Sequence, residues 1–137
     1  MAYLVDTNAC IAIINDKPSS VRIRFEKAAE AKAEIWVSAV ALAELWYGAE
    51  KSARRETNAE RVRELLSGPV RVLPFGEDDA RVAGSIRAIL ERKGRPIGPY
   101  DTLIAAQAFR NGMTLITSNV REFSRVQGLN WEDWAKA

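Results

Sequence analysis

The sequence contains no histidine. A Ser-His-Asp triad, a Cys-His nucleophile pair and a histidine-ligated zinc or iron site are therefore excluded within this chain. Cysteine is almost as scarce. The one thiol, Cys10, rules out an internal disulfide and a thiolate zinc site, and it fits a reducing, cytoplasmic compartment. No apolar run approaches the length of a membrane span. The opening "MAYLVDTNACIAIIND" lacks the basic n-region of a secretory signal, and Asp6 interrupts its apolar run. Repeats, low-complexity tracts and Gly/Ser linkers are missing too, so a single domain over residues 1–137 is expected. Any enzyme chemistry in such a chain falls to carboxylates, with an oxygen-loving metal as the natural assistant.

What is present is an ordinary globular composition, 47% hydrophobic and 28% charged, in a chain long enough to bury a sizeable core. The net charge of +2 permits an anionic partner without demanding one. The pattern along the chain predicts strands at 2–5, 35–37, 70–75 and 114–117. Helices are expected at 7–15, at 19–34 with Ser19 or Ser20 as N-cap, at 39–53 capped by Ser38, and at 56–67 with Val62, Leu65 and Leu66 inward. Two more are expected, from 77 to a stop at Gly94, and over 99–111 with Gly112 at its end. "GLNWEDWAKA" closes the chain. Short, unalternating apolar strands separated by helices imply an α/β fold: a parallel sheet covered on both faces. Ligands of such sheets bind beyond the carboxyl ends of the strands.

That rule selects polar residues by position. Asp6 directly follows "YLV", with Thr7 and Asn8 beside it, although an Asx-turn or a helix cap would use the same residue types. Glu44 stands alone among apolar residues in "AVALAELW", where a buried charge is costly unless paired or metal-bound; a solvent-facing stripe is the plainer reading. Asp101, in "RPIGPYDTLIAAQA", opens a nearly charge-free helix, where it either gains from the helix dipole or is aimed at something. Past the last strand come Ser118, Asn119 and Glu122, each of which could be simple loop polarity.

Together they outweigh any one of them. In a parallel sheet Asp6, Glu44, Asp101 and either Asn119 or Glu122 would converge on one end of the molecule. Two carboxylates about 5 Å apart repel by roughly 3 kcal/mol at an effective dielectric near 20. Three or four together raise one another's pKa or bind a cation. Oxygen-only ligation suits Mg²⁺ or Mn²⁺, a histidine-free route to phosphodiester hydrolysis.

The stretches "YLVDTN", "VSAVALAELWYGAEKS", "RPIGPYDTLIAAQA" and "LITSNVREFSRVQGLNWEDW" resemble the successive motifs of PIN-domain ribonucleases, and more narrowly those of VapC-type toxins. The resemblance runs from Tyr3 to Trp134 with the motifs in order. It implies a three-layer α/β/α fold with a central parallel sheet, and a Mg²⁺- or Mn²⁺-dependent endoribonuclease that arrests translation. It also implies a VapB-type antitoxin as partner, and a homodimer within a larger toxin–antitoxin assembly. Carried over by motif, Asp6, Glu44 and Asp101 are the acidic metal-site residues, Thr7 and Asn8 shape the first loop, and Thr117 and Asn119 follow the fourth strand.

Many PIN domains carry an acid where this chain has Asn119. Glu122, the nearest acid, is then expected as an outer, second-metal contributor among the catalytic residues, with Asn119 holding water or substrate. Several toxins of the family cut tRNA, often in the anticodon stem-loop, and "GRPIGPYD" resembles those that attack initiator tRNA. Arg92, Lys93 and Arg95 before the Asp101 helix, and Arg121 and Arg125 after the last strand, could hold phosphates. No aromatic RNP-like motif points to base stacking. Trp46, Tyr47, Trp131 and Trp134 are expected mostly in the core, with some left for a dimer face or an antitoxin groove.

The rival readings are weaker. A haloacid-dehalogenase-like phosphatase wants a second acid two residues after the first, where this chain has Asn8. A receiver-like signalling domain needs an acid pair before its aspartate and a late lysine after a strand, and neither is present. A silent RNA- or protein-binding module would not need three intact acids.

Overall fold

A computed structural model describes residues 1–136. Its frame is a sheet of β1 (Ala2–Val5), β2 (Glu34–Ser38), β3 (Arg71–Leu73), β4 (Thr114–Ile116) and β5 (Trp131–Glu132), in the order β3-β2-β1-β4-β5. Every pairing is parallel, with Leu4 opposite both Trp36 and Leu115, and Leu115 opposite Trp131. The inner strands carry Leu4, Val5, Ile35, Val37, Leu115 and Ile116, all buried. Burial on both faces is what their unalternating sequences demand. The sheet is flanked by α1 (Thr7–Asn15), α2 (Ser19–Glu30), α3 (Ala39–Lys51), α4 (Arg55–Ser67), α5 (Glu77–Arg92), α6 (Pro99–Arg110) and α7 (Val120–Phe123). This is the expected three-layer α/β/α arrangement. No helix among the described residues is long and apolar enough to cross a membrane.

The strand order places the site. The chain winds outward from β1 through β2 to β3, then returns to place β4 on the other side of β1. The switch point therefore lies between β1 and β4, and Asp6 stands at its carboxyl end, its N–H bonded to the Ile116 carbonyl at 3.0 Å. A helix that precedes a parallel strand runs back against it. The N-terminus of α6 therefore opens at the same edge as the carboxyl end of β4 and carries Asp101 there.

Several boundaries differ from the sequence reading, for local reasons. The second helix ends at Glu30 rather than 34, because Lys32 turns left-handed (φ 60°) and Glu34 N–H bonds to the Met1 carbonyl to start β2. Sheet pairing overrides the good helix propensity of "AKA". Neither Ser19 nor Ser20 caps that helix. Pro18 occupies the N-cap, and the Ser20 hydroxyl donates to the Ala135 carbonyl at 3.1 Å. β3 is shorter than 70–75, since Pro74 lacks the donor to continue the ladder. α7 and β5 are additional, and both are too short to show a period. Gly94 (φ 68°) and Gly112 (φ 64°) end α5 and α6 as expected, each taking a left-handed conformation that favours glycine.

Gln107 ties the layers together. Fully buried on α6, it accepts a hydrogen bond from the Ser38 hydroxyl, and its amide donates to the Leu73 and Pro74 carbonyls at 3.3 and 3.1 Å. Gln107→Leu leaves one hydroxyl and two carbonyls without that partner, and is expected to cost about 3 kcal/mol. An unchanged urea midpoint would contradict this role. Asp79 plays a similar part on α5. It is buried, accepts from Arg110 Nε at 2.7 Å, and takes the Gly76 N–H at 2.8 Å.

Candidate active site

Asp6 is 3% exposed, and its surroundings hold it in one orientation. Its Oδ1 accepts from the Ala9 N–H at 2.8 Å, capping α1. The Thr117 hydroxyl also serves this carboxylate. Burial pushes the Asp6 carboxyl up to about 6 against those hydrogen bonds, with the Glu44 and Asp133 charges adding to the rise. The capping and functional readings therefore coexist at this residue. An N-cap needs only one of the two oxygens.

Glu44 projects from α3 six residues after Ser38, whose hydroxyl accepts the Val40 N–H at 2.9 Å and caps the helix as expected. Glu44 is half-buried, and Thr7 donates to its Oε1 at 2.6 Å. Thr7 thus joins the first and second motifs directly.

Asp101 does not cap α6. Gly98 holds that position without a side-chain bond, Pro99 fills the first turn, and the Thr102 hydroxyl returns to the Gly98 carbonyl at 3.0 Å. The Asp101 carboxylate is free for another task. Asn119 Nδ2 donates to its Oδ2 at 3.2 Å and to Glu122 Oε2 at 2.7 Å, so one amide bridges the two acids. Burial raises the Asp101 carboxyl to about 7, aided by its hydrogen bond with Glu122 and by the charges of Glu122, Asp6 and Glu44. Glu122 moves the other way. The hydrogen bond with Asp101 holds it below the usual carboxylate range, helped by Asn119, the Gly98 N–H and the Arg125 charge, and opposed by burial.

The fold therefore brings Asp6, Glu44, Asp101, Asn119 and Glu122 within electrostatic reach of one another at one edge of the sheet. None of the four acids has an ion-pair partner among the described residues. The remaining expected residues divide. Asn8 is exposed beside the acids and shares a groove with Thr7 and Glu44. Thr117, expected among the substrate-binding residues, is 1% exposed; its hydroxyl serves Asp6 and accepts the Asn119 N–H at 2.9 Å. Arg95 and Arg121 are exposed and form no ion pair among the described residues. Arg125 is not free for phosphate in the same way. Its guanidinium donates to the Pro96 carbonyl at 2.8 Å, while Glu122 Oε1 accepts the Gly98 N–H at 3.2 Å. The segment carrying α7 therefore grips the loop before α6 at two points and sets where Asp101 points.

One further acid was missed. Asp133 lies just past β5 and is close enough to raise the Asp6 carboxyl. The strand-end rule would have selected it had the two-residue β5 been legible.

For a divalent cation the donor chemistry fits. The acids offer hard oxygens, and among the described residues no ion pair offsets their crowding, Arg125 acting only on the outer Glu122. Among the described residues, no three His, Cys, Asp or Glu side chains form a ready-made metal cluster. Mg²⁺ commonly takes only one or two carboxylates and keeps several waters.

Residues 3–129 match the family described as PIN domain. The tRNA(fMet)-specific endonuclease VapC of Shigella flexneri is 43% identical, over 98% of this chain and 99% of that protein. The protein of the same name from Salmonella typhimurium is 41% identical, over 98% of each. Among solved structures, VapBC2 from Rickettsia felis, bound to a DNA fragment from its promoter, contains a chain that superposes with a TM-score of 0.91. That chain is 36% identical, over 98% of this one and 99% of its own length.

Proposed function

The chain belongs to the PIN-domain family and, within it, to the VapC ribonucleases, and from that premise we propose a divalent-metal-dependent endoribonuclease toxin that hydrolyses tRNA and is neutralised by a VapB-type antitoxin. The observation that carries the reading is the meeting of Asp6, Glu44, Asp101 and Glu122 at the switch-point edge with no ion pair to any of them among the described residues.

Asp6, Glu44 and Asp101 would hold Mg²⁺ or Mn²⁺. Bound there, the ion would supply charge neutralisation at the phosphodiester and an acidified water for in-line attack. The chain's own groups do the positioning. The Ala9 N–H and Thr117 hydroxyl orient Asp6, the Thr7 hydroxyl orients Glu44, and the Asn119 amide orients Asp101 against Glu122. Glu122 sits at the outer side, its oxygens engaged with the Gly98 N–H and Asn119. Arg95 and Arg121, both exposed, hold backbone phosphates of the RNA.

Two relatives at 43% and 41% identity are named for tRNA(fMet), and the "GRPIGPYD" stretch supports initiator tRNA as the substrate here. The VapBC complexes among the structural relatives support a VapB partner and an assembly of toxin copies with antitoxin. Mapping RNA 5′ ends after induction of wild type and of Asp101→Asn tests the reading. New ends in the initiator tRNA anticodon loop, with growth arrest relieved by co-expressed VapB, are expected for wild type alone. Normal growth with abundant soluble wild-type protein would overturn it.

A further inference from the structure

A groove of about 800 Å³ opens beside Glu44, its walls including Thr7, Asn8, Tyr47, Phe75 and Tyr100. Two of these aromatics lie on the surface, Tyr47 at 64% exposure and Tyr100 at 55%. Core packing therefore does not account for them, and exposed apolar surface of this kind marks an interaction site. Tyr47 is three residues after Glu44, on the same face of α3, and Tyr100 immediately precedes Asp101 at the mouth of α6. Lys51 Nζ lies over the Tyr47 ring, 5.6 Å from its centroid, and brings a positive charge to that ring.

We propose that Tyr47 and Tyr100 form a stacking platform for an unpaired nucleobase of the RNA next to the scissile phosphate. The inference rests on the ribonuclease reading above and deepens it. A phosphodiester reacting at the acids places its neighbouring nucleosides within a few ångströms, and this groove is the apolar surface that continues from them. Single-stranded RNA is recognised by stacking on aromatic faces, which tolerates any base because every base has a π-face. Lys51 beyond Tyr47 meets the next backbone phosphate. A loop nucleotide seated on such a platform would be drawn out of its own stack, directing cleavage to unpaired RNA. Three rings from positions 47, 75 and 100 make one surface only through the fold, so no linear aromatic motif announces it.

The test compares Tyr47→Ala, Tyr100→Ala and the matching Phe variants on an anticodon stem-loop RNA, alongside the same RNA made abasic at each nucleotide flanking the cut. Removing one stacking ring is expected to raise KM roughly tenfold to hundredfold, and Phe, which keeps the ring, is expected to restore it. On the RNA abasic at the seated position, wild type should fall to the level of the Ala variant, and the Ala change should cost nothing more. Unaltered cleavage by both Ala variants, or equal losses on every abasic RNA, would overturn the platform. So would Ala variants that lose only antitoxin affinity, which would make the groove a peptide site. Absence of RNA cleavage by wild type would overturn the ribonuclease reading as well, whereas robust wild-type cleavage with indifferent Ala variants removes this inference alone. Thermal melting controls for folding, which both exposed positions should leave intact.

Discussion

Asp101→Asn is expected to lower single-turnover RNA cleavage by about 10²-fold or more, the scale on which loss of a metal-site group acts. The substitution keeps the size of the side chain and leaves an oxygen for the Asn119 amide, so the local hydrogen bond can persist. It does not remove a helix cap, because Gly98 holds the N-cap of α6 and Thr102 closes the first turn. What it removes is one negative charge from a group of acids that have no ion-pair partner among the described residues. A loss of activity in a folded protein would therefore report on the charge. Cleavage within threefold of wild type would exclude Asp101 from the reacting centre.

Asp6→Asn should trade activity for stability. The Asp6 carboxyl is pushed from an unfolded value near 3.8 to about 6, chiefly by burial. Between those values the native state holds a proton that the unfolded chain has released, so stability falls as pH rises from about 4 to about 6 and stays low above it. The cost at pH 8 without divalent ions is on the order of 3 kcal/mol. Asparagine escapes that cost, still accepts the Ala9 N–H as an N-cap, and can also pair with the Thr117 hydroxyl. In EDTA at pH 8 the variant is expected to melt roughly 10 °C higher than wild type. The gain should shrink towards pH 4, and RNA cleavage should be lost at every pH. A variant less stable than wild type at both ends of that range would show that the buried charge is not a burden.

The acids are legible in the sequence because Asp6 follows a strand, Asp101 opens a helix and Glu44 is a lone charge in the apolar helix after β2, and a parallel sheet turns those placements into proximity. Asp6 and Asp101 stand out by position, Glu44 by its apolar surroundings, and the four motifs point to the family. The division of labour among the polar neighbours was not legible. Thr117 and Asn119 look alike as loop polars, yet the first is buried under Asp6 while the second bridges Asp101 and Glu122. That difference comes from where the chain turns after β4, which no local pattern encodes. Arg125 likewise reads as a phosphate ligand until the fold commits it to the Pro96 carbonyl. Tyr47, like the tryptophans, reads in the sequence as an aromatic expected mostly in the core. Trp134 is buried, edge-on to Tyr3 with ring centroids 5.3 Å apart, while Tyr47 lies open on the surface. Short elements escape the sequence for a different reason: β5 and α7 span barely one period each, too little to show a repeat.

The most direct test of the central claim, that carboxylates at the switch point run a metal-dependent cleavage of RNA, is a titration. Single-turnover cleavage of initiator tRNA by purified, antitoxin-free protein would be followed from excess EDTA through rising Mg²⁺, with Mn²⁺ in parallel. Cleavage absent in EDTA and restored in proportion to the added ion, for wild type but not for Asp101→Asn, is the predicted result. Undiminished cleavage in EDTA would contradict it.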